Sequence, residues 1–428
     1  MKKIHLVSLG CAKNLVDSEQ MLAMFDDPHF CLTDNPEEAD LIIVNTCGFI
    51  NSAKKESIDK IFEMASYKGK IAVTGCLSTR YEKELKEELK EVDAIISIDD
   101  YQTLNKAFGE LLEEEGVKEF NPLRRNLTTS EGTAYIRISE GCDNFCAFCA
   151  IPHIRGRFVS RPFEEILEDA RILKEKGIKE ISLISQDTTV YGKDFPKGKP
   201  NLIDLLDELE KMGFFSIRLL YLYPSEISDE LIHKIADSKV IAHYFDIPVQ
   251  AASDHLLTLM RRHADAKETI ELFHRIKRIC PDAILRTTLI SGFPEETEED
   301  QEETKRFLND IEFDHVGVFV YSPEENTPGY YMTQIDEEIK ERRKEELMKL
   351  QRPISYKKNK ERVGKEDYGL ILGQAKDGKY VIRSSVNAPD DIDGAVYASS
   401  KKPHLVGEIV KIKYTHAFVY DLLAEILD

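Results

Sequence analysis

Gly141-Cys142-Asp143-Asn144-Phe145-Cys146-Ala147-Phe148-Cys149 follows directly on the apolar run Ala134 to Ser139, so a buried strand opens into a loop bearing three thiols spaced Cys-x3-Cys-x2-Cys. Three thiolates on so short a loop can hold three corners of a 4Fe-4S cluster and leave one iron open to an outside ligand. The alternative is a structural zinc loop, but zinc sites of that kind close with a fourth Cys or His at short range. His153 is the nearby candidate for that place. The aromatic Phe148 just before the last thiol belongs to the same pattern.

Downstream of this loop the strand signal recurs at Glu180 to Ile184, Ser216 to Leu220, His243 to Ile247, Ile284 to Ile290 and Val316 to Tyr321. Helical periodicity separates the runs, at Phe163 to Lys176, Leu202 to Met212, Ser228 to Ala236, Lys267 to Ile279 and Glu296 to Leu308. Counting Ala134 to Ser139, the six strands predict a partial (βα)6 barrel of the TIM type, with functional residues just past the strand ends. Glu140, Gln186, Asp187, Tyr221, Gln250 and Ser291 lie there, and Arg286 sits within its strand. Each could instead serve the loop's own structure. Gly292-Phe293-Pro294-Glu295 reads as a close approach to a cofactor or as an ordinary turn.

Upstream, Ile4 to Leu9, Leu41 to Val44, Ile71 to Val73 and Ala94 to Ile98 alternate with helical stretches Leu15 to Phe25, Ile50 to Ala65 and Tyr81 to Leu89. This predicts a flavodoxin-like parallel α/β domain over residues 1–112. Cys11, Cys47 and Cys76 each come just after one of its strands, beside Gly10, Gly48 and Gly75. Loops at the carboxyl ends of an open parallel sheet share one crevice, so three thiols meet there. The residues alone leave a second cluster and three core cysteines both open, since free Cys is so often plain core. Cys31 and Cys280 are assigned to packing.

Glu113 to Arg125 is polar, contains Pro122 and reads as a linker. Glu337 to Lys360 is a charge-dense helix expected to break or end near Pro353. After it, residues 361–428 alternate short apolar runs (Tyr368 to Leu372, Tyr380 to Ile382, Val406 to Ile412, Leu422 to Ile426) with Gly- and Asp-rich turns, which predicts a small all-β barrel.

The whole is an α/β multidomain chain of 428 residues, too long for one core. No run approaches the roughly 20 apolar residues of a membrane span, and the start lacks an apolar signal core, so the expected location is cytoplasmic. In that reducing compartment the eight cysteines are ligands or core, not disulfides. A formal charge of −20, from 58 basic and 78 acidic residues, argues against nucleic acid as substrate and suits a basic protein.

Together these stretches resemble the methylthiotransferase family over essentially the whole chain. The resemblance rests on Leu9 to Glu19 (LGCAKNLVDSE), Asn45-Thr46-Cys47-Gly48-Phe49, Thr74-Gly75-Cys76, and Cys142 to Arg161 with Ile151-Pro152 and Ser160-Arg161-Pro162. It implies an N-terminal methylthiotransferase domain over residues 1–112 with one 4Fe-4S cluster on Cys11, Cys47 and Cys76. It also implies a radical S-adenosylmethionine (SAM) core over 128–358 with another cluster on Cys142, Cys146 and Cys149, and a TRAM domain over 361–428. SAM is then the outside ligand, with Phe148, Glu140, Gln186, Gln250, Arg286 and Gly292 as cofactor-contact candidates. The chemistry is hydrogen-atom removal from an unactivated carbon, which no side-chain base can achieve, followed by insertion of sulfur and methylation by a second SAM.

Asn45 to Ala53, Gln186 to Gly192, Tyr244 to Gln250 and Phe319 to Ser322 are similar to the branch that methylthiolates an aspartate of small-subunit ribosomal protein 12. Ala251 and Ala252 depart from the His or Ser expected after Gln250. An electron donor such as flavodoxin or ferredoxin and a sulfur donor are implied partners. The competing branch modifies a tRNA adenosine, and a non-enzymatic metal-binding scaffold is the reading from another class. Residues 361–428 hold nine Lys or Arg against eleven Asp or Glu, a balance of −2, which suits a protein substrate better than tRNA.

Overall fold

The computed structural model describes residues 1–389 and 392–427, so Asp390, Asp391 and Asp428 of that charge balance lie outside the described residues. The chain falls into two compact units that interleave in sequence. One comprises residues 1–128, 139–161 and 322–327; the other comprises 129–138, 162–321 and the chain from 328 onward. The thiol loop, expected within the barrel domain, thus groups with the N-terminal residues.

The first unit is built on a parallel sheet of β1 (Lys2–Ser8), β2 (Phe30–Leu32), β3 (Leu41–Thr46), β4 (Lys70–Gly75) and β5 (Ala94–Ile95), in the order β2-β1-β3-β4-β5. That order is the flavodoxin-like one, with the reversal of direction between β1 and β3. β3 is buried at every residue because helices cover both faces of the sheet, which is why Leu-Ile-Ile-Val reads as an unbroken apolar run. Met21, Phe25, Leu104 and Phe108 fill one face, and Ile61, Met64, Leu77 and Leu85 the other.

Two local expectations fail here for physical reasons, and one strand lies outside the predicted set. β2 is an edge strand of three residues with only Phe30 buried, too short to show a pattern. β5 stops at Ile95, and a 3-10 turn over Ile98–Thr103 replaces the rest of the expected strand. The supposed linker is folded against the unit: the Lys118 amide donates to Met24 O at 2.9 Å, and Arg125, 3% exposed, reaches Glu19 at 2.6 Å. A buried ion pair looks the same as a solvated charge run in sequence.

In the second unit all six barrel strands form: Thr133–Arg137, Glu180–Ile184, Ser216–Leu219, Tyr244–Asp246, Ile284–Ser291 and His315–Val320. The first three pair in parallel, as do the last three, and a parallel bridge from Ile217 to Ile241 with Leu222 N donating to Asp246 O at 2.9 Å joins the two sets. Capping boxes at Asn201/Asp204, Asp265/Glu268 and Thr297/Asp300 start three of the intervening helices.

The helix Glu337–Arg362 runs through Pro353 without a break, against expectation. Its buried face holds it in place: Gln351 donates to Phe313 O at 2.8 Å and Ser355 to Asp314 O at 2.9 Å, and these contacts offset the backbone bond that proline forfeits.

The C-terminal strands Glu366–Gln374, Tyr380–Arg383, Val396–Ser399, Leu422–Ile426 and Ile409–Ala417 close, in that spatial order, into the expected barrel, with Val396–Ser399 an unforeseen member. It is not a detachable tail. Arg218 of the larger barrel donates to Ser384 O, Arg383 lies 3.4 Å from Glu180, and Asp393 accepts from both Tyr244 and Arg286. Among the described residues no helix is long and apolar enough to cross a membrane.

Candidate functional site: two thiol triads

Register explains how scattered thiols come together. Ser8 stands opposite Asn45 and Thr46 opposite Gly75, so β1, β3 and β4 end nearly level and release Cys11, Cys47 and Cys76 from one edge. Cys11 caps the helix Ala12–Leu22 and Cys76 begins the helix Cys76–Arg80. Cys47 is clamped by Ser57, whose hydroxyl accepts from the Cys47 amide at 3.0 Å and donates to its carbonyl at 2.9 Å. Gly10, at φ +90°, brings the Cys11 loop so near that an added Cβ would lie 2.8 Å from Cys47 Cβ and 2.9 Å from its Sγ. Gly48 likewise lets the Cys47 loop touch the backbone of Cys76 and Leu77.

Asn14 organises this edge. Its amide donates to Leu9 O and Thr46 O, both at 2.9 Å, and its oxygen accepts from Cys76 Sγ at 3.4 Å, so one side chain touches all three loops. Burial pushes the Cys47 thiol up to about 11 and raises that of Cys76, which holds both protonated near neutrality. A thiophilic metal centre, which binds the deprotonated form, displaces those protons. Three soft donors from three loops, around a cradle kept clear by glycine, fit an iron-sulfur cluster better than a hydrophobic core does.

The second triad sits on a loop pinched at its base by a short antiparallel ladder, Ser139 to Ser160 and Glu140 to Val159. The Cys142 amide donates to Gly156 O at 3.2 Å, and that of Cys149 to Cys146 O at 3.0 Å. Asp143 accepts from Arg157 at 2.6 Å. Phe148 is half-buried, and His153, the candidate fourth zinc ligand, is exposed on the short helix Ile151–Ile154. Ala150 and Ile154 pack against Cys76, so the loops of the two triads abut.

The remaining candidates divide. Glu140 is engaged by Arg155, with both carboxylate oxygens at 3.2 Å. Gln186, past the Glu180–Ile184 strand, has both amide atoms buried without a partner, as expected of a group waiting for a polar ligand. Gln250, at φ +72°, is held between Thr288 O and the Ile290 amide. Arg286 is committed to Asp246 at 2.7 Å and Asp393 at 3.1 Å, and Gly292 makes room for the methylenes of Lys340. Ser291 donates to Lys340 O at 2.8 Å, the Tyr221 amide to Asp246 at 3.0 Å, and Asp187 accepts from the Thr189 amide at 3.1 Å.

Residue-by-residue reading missed Asn14, Asp17 and Arg155. The available signal was the helix Ala12–Leu22, in which polar residues at helical spacing (Asn14, Asp17, Ser18) are all buried.

Comparison with known proteins agrees with this architecture. Residues 3–97 match the model of uncharacterized protein family UPF0004, 136–308 that of the radical SAM superfamily, and 363–427 that of the TRAM domain. A ribosomal protein uS12 methylthiotransferase RimO of Aquifex aeolicus (strain VF5) is 47% identical over 98% of this chain and 96% of its own length. The protein of the same name from Acetivibrio thermocellus is 43% identical over 100% and 99%. Among solved structures, the radical SAM methyltransferase TsrM from Kitasatospora setae aligns with TM-score 0.55 and 12% identity over 74% of this chain and 73% of that one, a likeness of fold.

Proposed function

This chain belongs to the family of the radical SAM methylthiotransferases of ribosomal protein uS12, and we propose that it methylthiolates the β-carbon of an aspartate in that protein. The observation that carries the reading is the meeting of Cys11, Cys47 and Cys76 at one sheet edge, against the loop of Cys142, Cys146 and Cys149. Each triad holds one 4Fe-4S cluster through three thiolates. When bound and reduced, the Cys142 cluster would supply the electron for reductive cleavage of SAM, the chemistry that takes an unactivated hydrogen as an atom.

The chain's own groups bind, orient and exclude water. On the thiol loop, Phe148 and Glu140 are the proposed cofactor contacts; in the barrel unit, Gln186 and Gln250 are the proposed polar ones, with Gln186 best suited because its amide lacks a partner. Arg286 and Gly292 are the remaining proposed contacts of that unit, Arg286 held by Asp246 and Asp393 and Gly292 lying against Lys340. Electrons come from a donor such as flavodoxin or ferredoxin, sulfur from a separate donor, and the reaction runs in the cytoplasm. The −20 charge favours a basic ribosomal protein.

The test is mass spectrometry of ribosomal proteins and of tRNA from cells with and without this gene. Loss of one mass increment on uS12 is expected. Loss on a tRNA adenosine, with uS12 unchanged, overturns the substrate.

A further inference from the structure

We propose that Arg155 is a positioning residue that couples the two triads, locking the Cys11 and Cys76 loops to the Cys142 to Cys149 loop and placing a buried positive charge beside the Cys11, Cys47 and Cys76 cluster. This rests on the reading that those three thiols hold a cluster. The Arg155 side chain is 2% exposed. Its Nη2 donates to Asn14 Oδ1 at 2.8 Å and Asp17 Oδ2 at 2.9 Å, while Nη1 reaches both oxygens of Glu140 at 3.2 Å.

Two of the three acceptors have a place in one of the triads. Asn14 touches the Cys11, Cys47 and Cys76 loops, and Glu140 stands two residues before Cys142 in the ladder that closes the other loop. Arg155 itself follows the helix that packs on Cys76. One planar guanidinium therefore spans both ligand sets, a geometry that the point charge of lysine cannot reproduce.

Its charge bears on chemistry as well as shape. Lys13 and Arg155 are the cations that act on Cys11 and Cys76, and Asp17 and Glu140 the facing anions. A cluster becomes more negative on reduction, so a nearby cation favours the reduced form and a nearby anion opposes it. Arg155→Gln leaves Asp17 and Glu140 unopposed and shifts the potential down; Asp17→Asn removes an anion and shifts it up. Opposite signs distinguish tuning from simple damage.

The experiment uses anaerobically reconstituted full-length enzyme, with iron analysis and an EPR-monitored redox titration. Added SAM perturbs the signal of the Cys142 cluster, which identifies the other signal. The SAM-insensitive signal should titrate lower in Arg155→Gln, higher in Asp17→Asn, and near the parent in Arg155→Lys. Arg155→Lys should nonetheless release more 5′-deoxyadenosine per methylthio transfer, because charge returns without the fork. Selective loss of the SAM-insensitive cluster in Arg155→Gln, with retention in Arg155→Lys, also supports the coupling. Unmoved potentials in both Arg155→Gln and Asp17→Asn, or shifts of the same sign at full iron content, overturn it. If Arg155→Gln does not fold, Asp17→Asn decides alone by moving up or not. A parent enzyme with no SAM-insensitive cluster sinks the underlying two-cluster reading instead.

Discussion

The two thiol triads reach similar ends by opposite routes. Cys142, Cys146 and Cys149 occupy eight consecutive positions, held by a two-residue ladder and local turns. Cys11, Cys47 and Cys76 span 66 positions and meet only because three parallel strands end level. The first site needs little beyond its own loop; the second depends on sheet register, glycine clearance and the Asn14 bridge. A site of the second kind is more vulnerable to distant substitutions.

The sharpest way to break the comparison is functional. Cys142→Ala should abolish 5′-deoxyadenosine formation, whereas Cys47→Ala should spare it and abolish methylthio transfer, both read by chromatography of single-turnover mixtures. Equal loss of 5′-deoxyadenosine in two folded variants would show that the triads do not divide the labour.

Iron content comes next. The reconstituted protein should carry about eight irons, and the Cys142, Cys146 and Cys149 triple alanine variant about four, the content of one 4Fe-4S cluster. Full retention, or total loss from a folded chain, refutes two separate sites.

Gly10→Ala probes the dispersed triad alone. It pushes a Cβ into Cys47 at a left-handed backbone position, a strain of about 1–3 kcal/mol. Iron should fall from about eight toward four while SAM cleavage persists. Undiminished iron would mean that the Cys11 and Cys47 loops need no such close approach.

A control lies in the other unit. Asp393→Ala removes one of the two carboxylates that hold Arg286, with Asp246 remaining, and should cost about 1–3 kcal/mol in denaturant unfolding, without changing the ratio of the two clusters. A shift below about 0.5 kcal/mol would show that the C-terminal barrel does not brace the larger one.

A further prediction concerns pH. Burial pushes the Glu296 carboxyl up to about 7, against the opposing pull of Arg343 and the Gly292 amide. A carboxyl raised in the folded state stabilises below its unfolded value of 4.5, and that stability is lost as pH rises through 7. Stability should therefore decline between about pH 4.5 and 7, at up to about 1.4 kcal/mol per pH unit, and Glu296→Gln should flatten the decline. An identical slope in the variant would exclude Glu296 as its source.

Much of this was legible without coordinates. Leu41–Thr46 was readable because two covered faces demand an unbroken apolar run, and the Cys-x3-Cys-x2-Cys loop because its chemistry is local. Phe30–Leu32 and Val396–Ser399 were not, since short edge or barrel strands carry too few residues for a pattern. Arg125 and Arg155 were misplaced or passed over because a charged residue announces solvent, and only a partner such as Glu19 or Asp17 permits its burial.

By itself the sequence determined the fold classes, the order of the three regions and the Cys-x3-Cys-x2-Cys loop, because periodicity and residue chemistry act over a few positions. Only the tertiary structure decided that the thiol loop belongs with the N-terminal unit, that the C-terminal barrel is pinned through Asp393, and that one guanidinium links both triads. Those features depend on which acceptors face a buried charge, and long-range packing sets that arrangement, not local propensity.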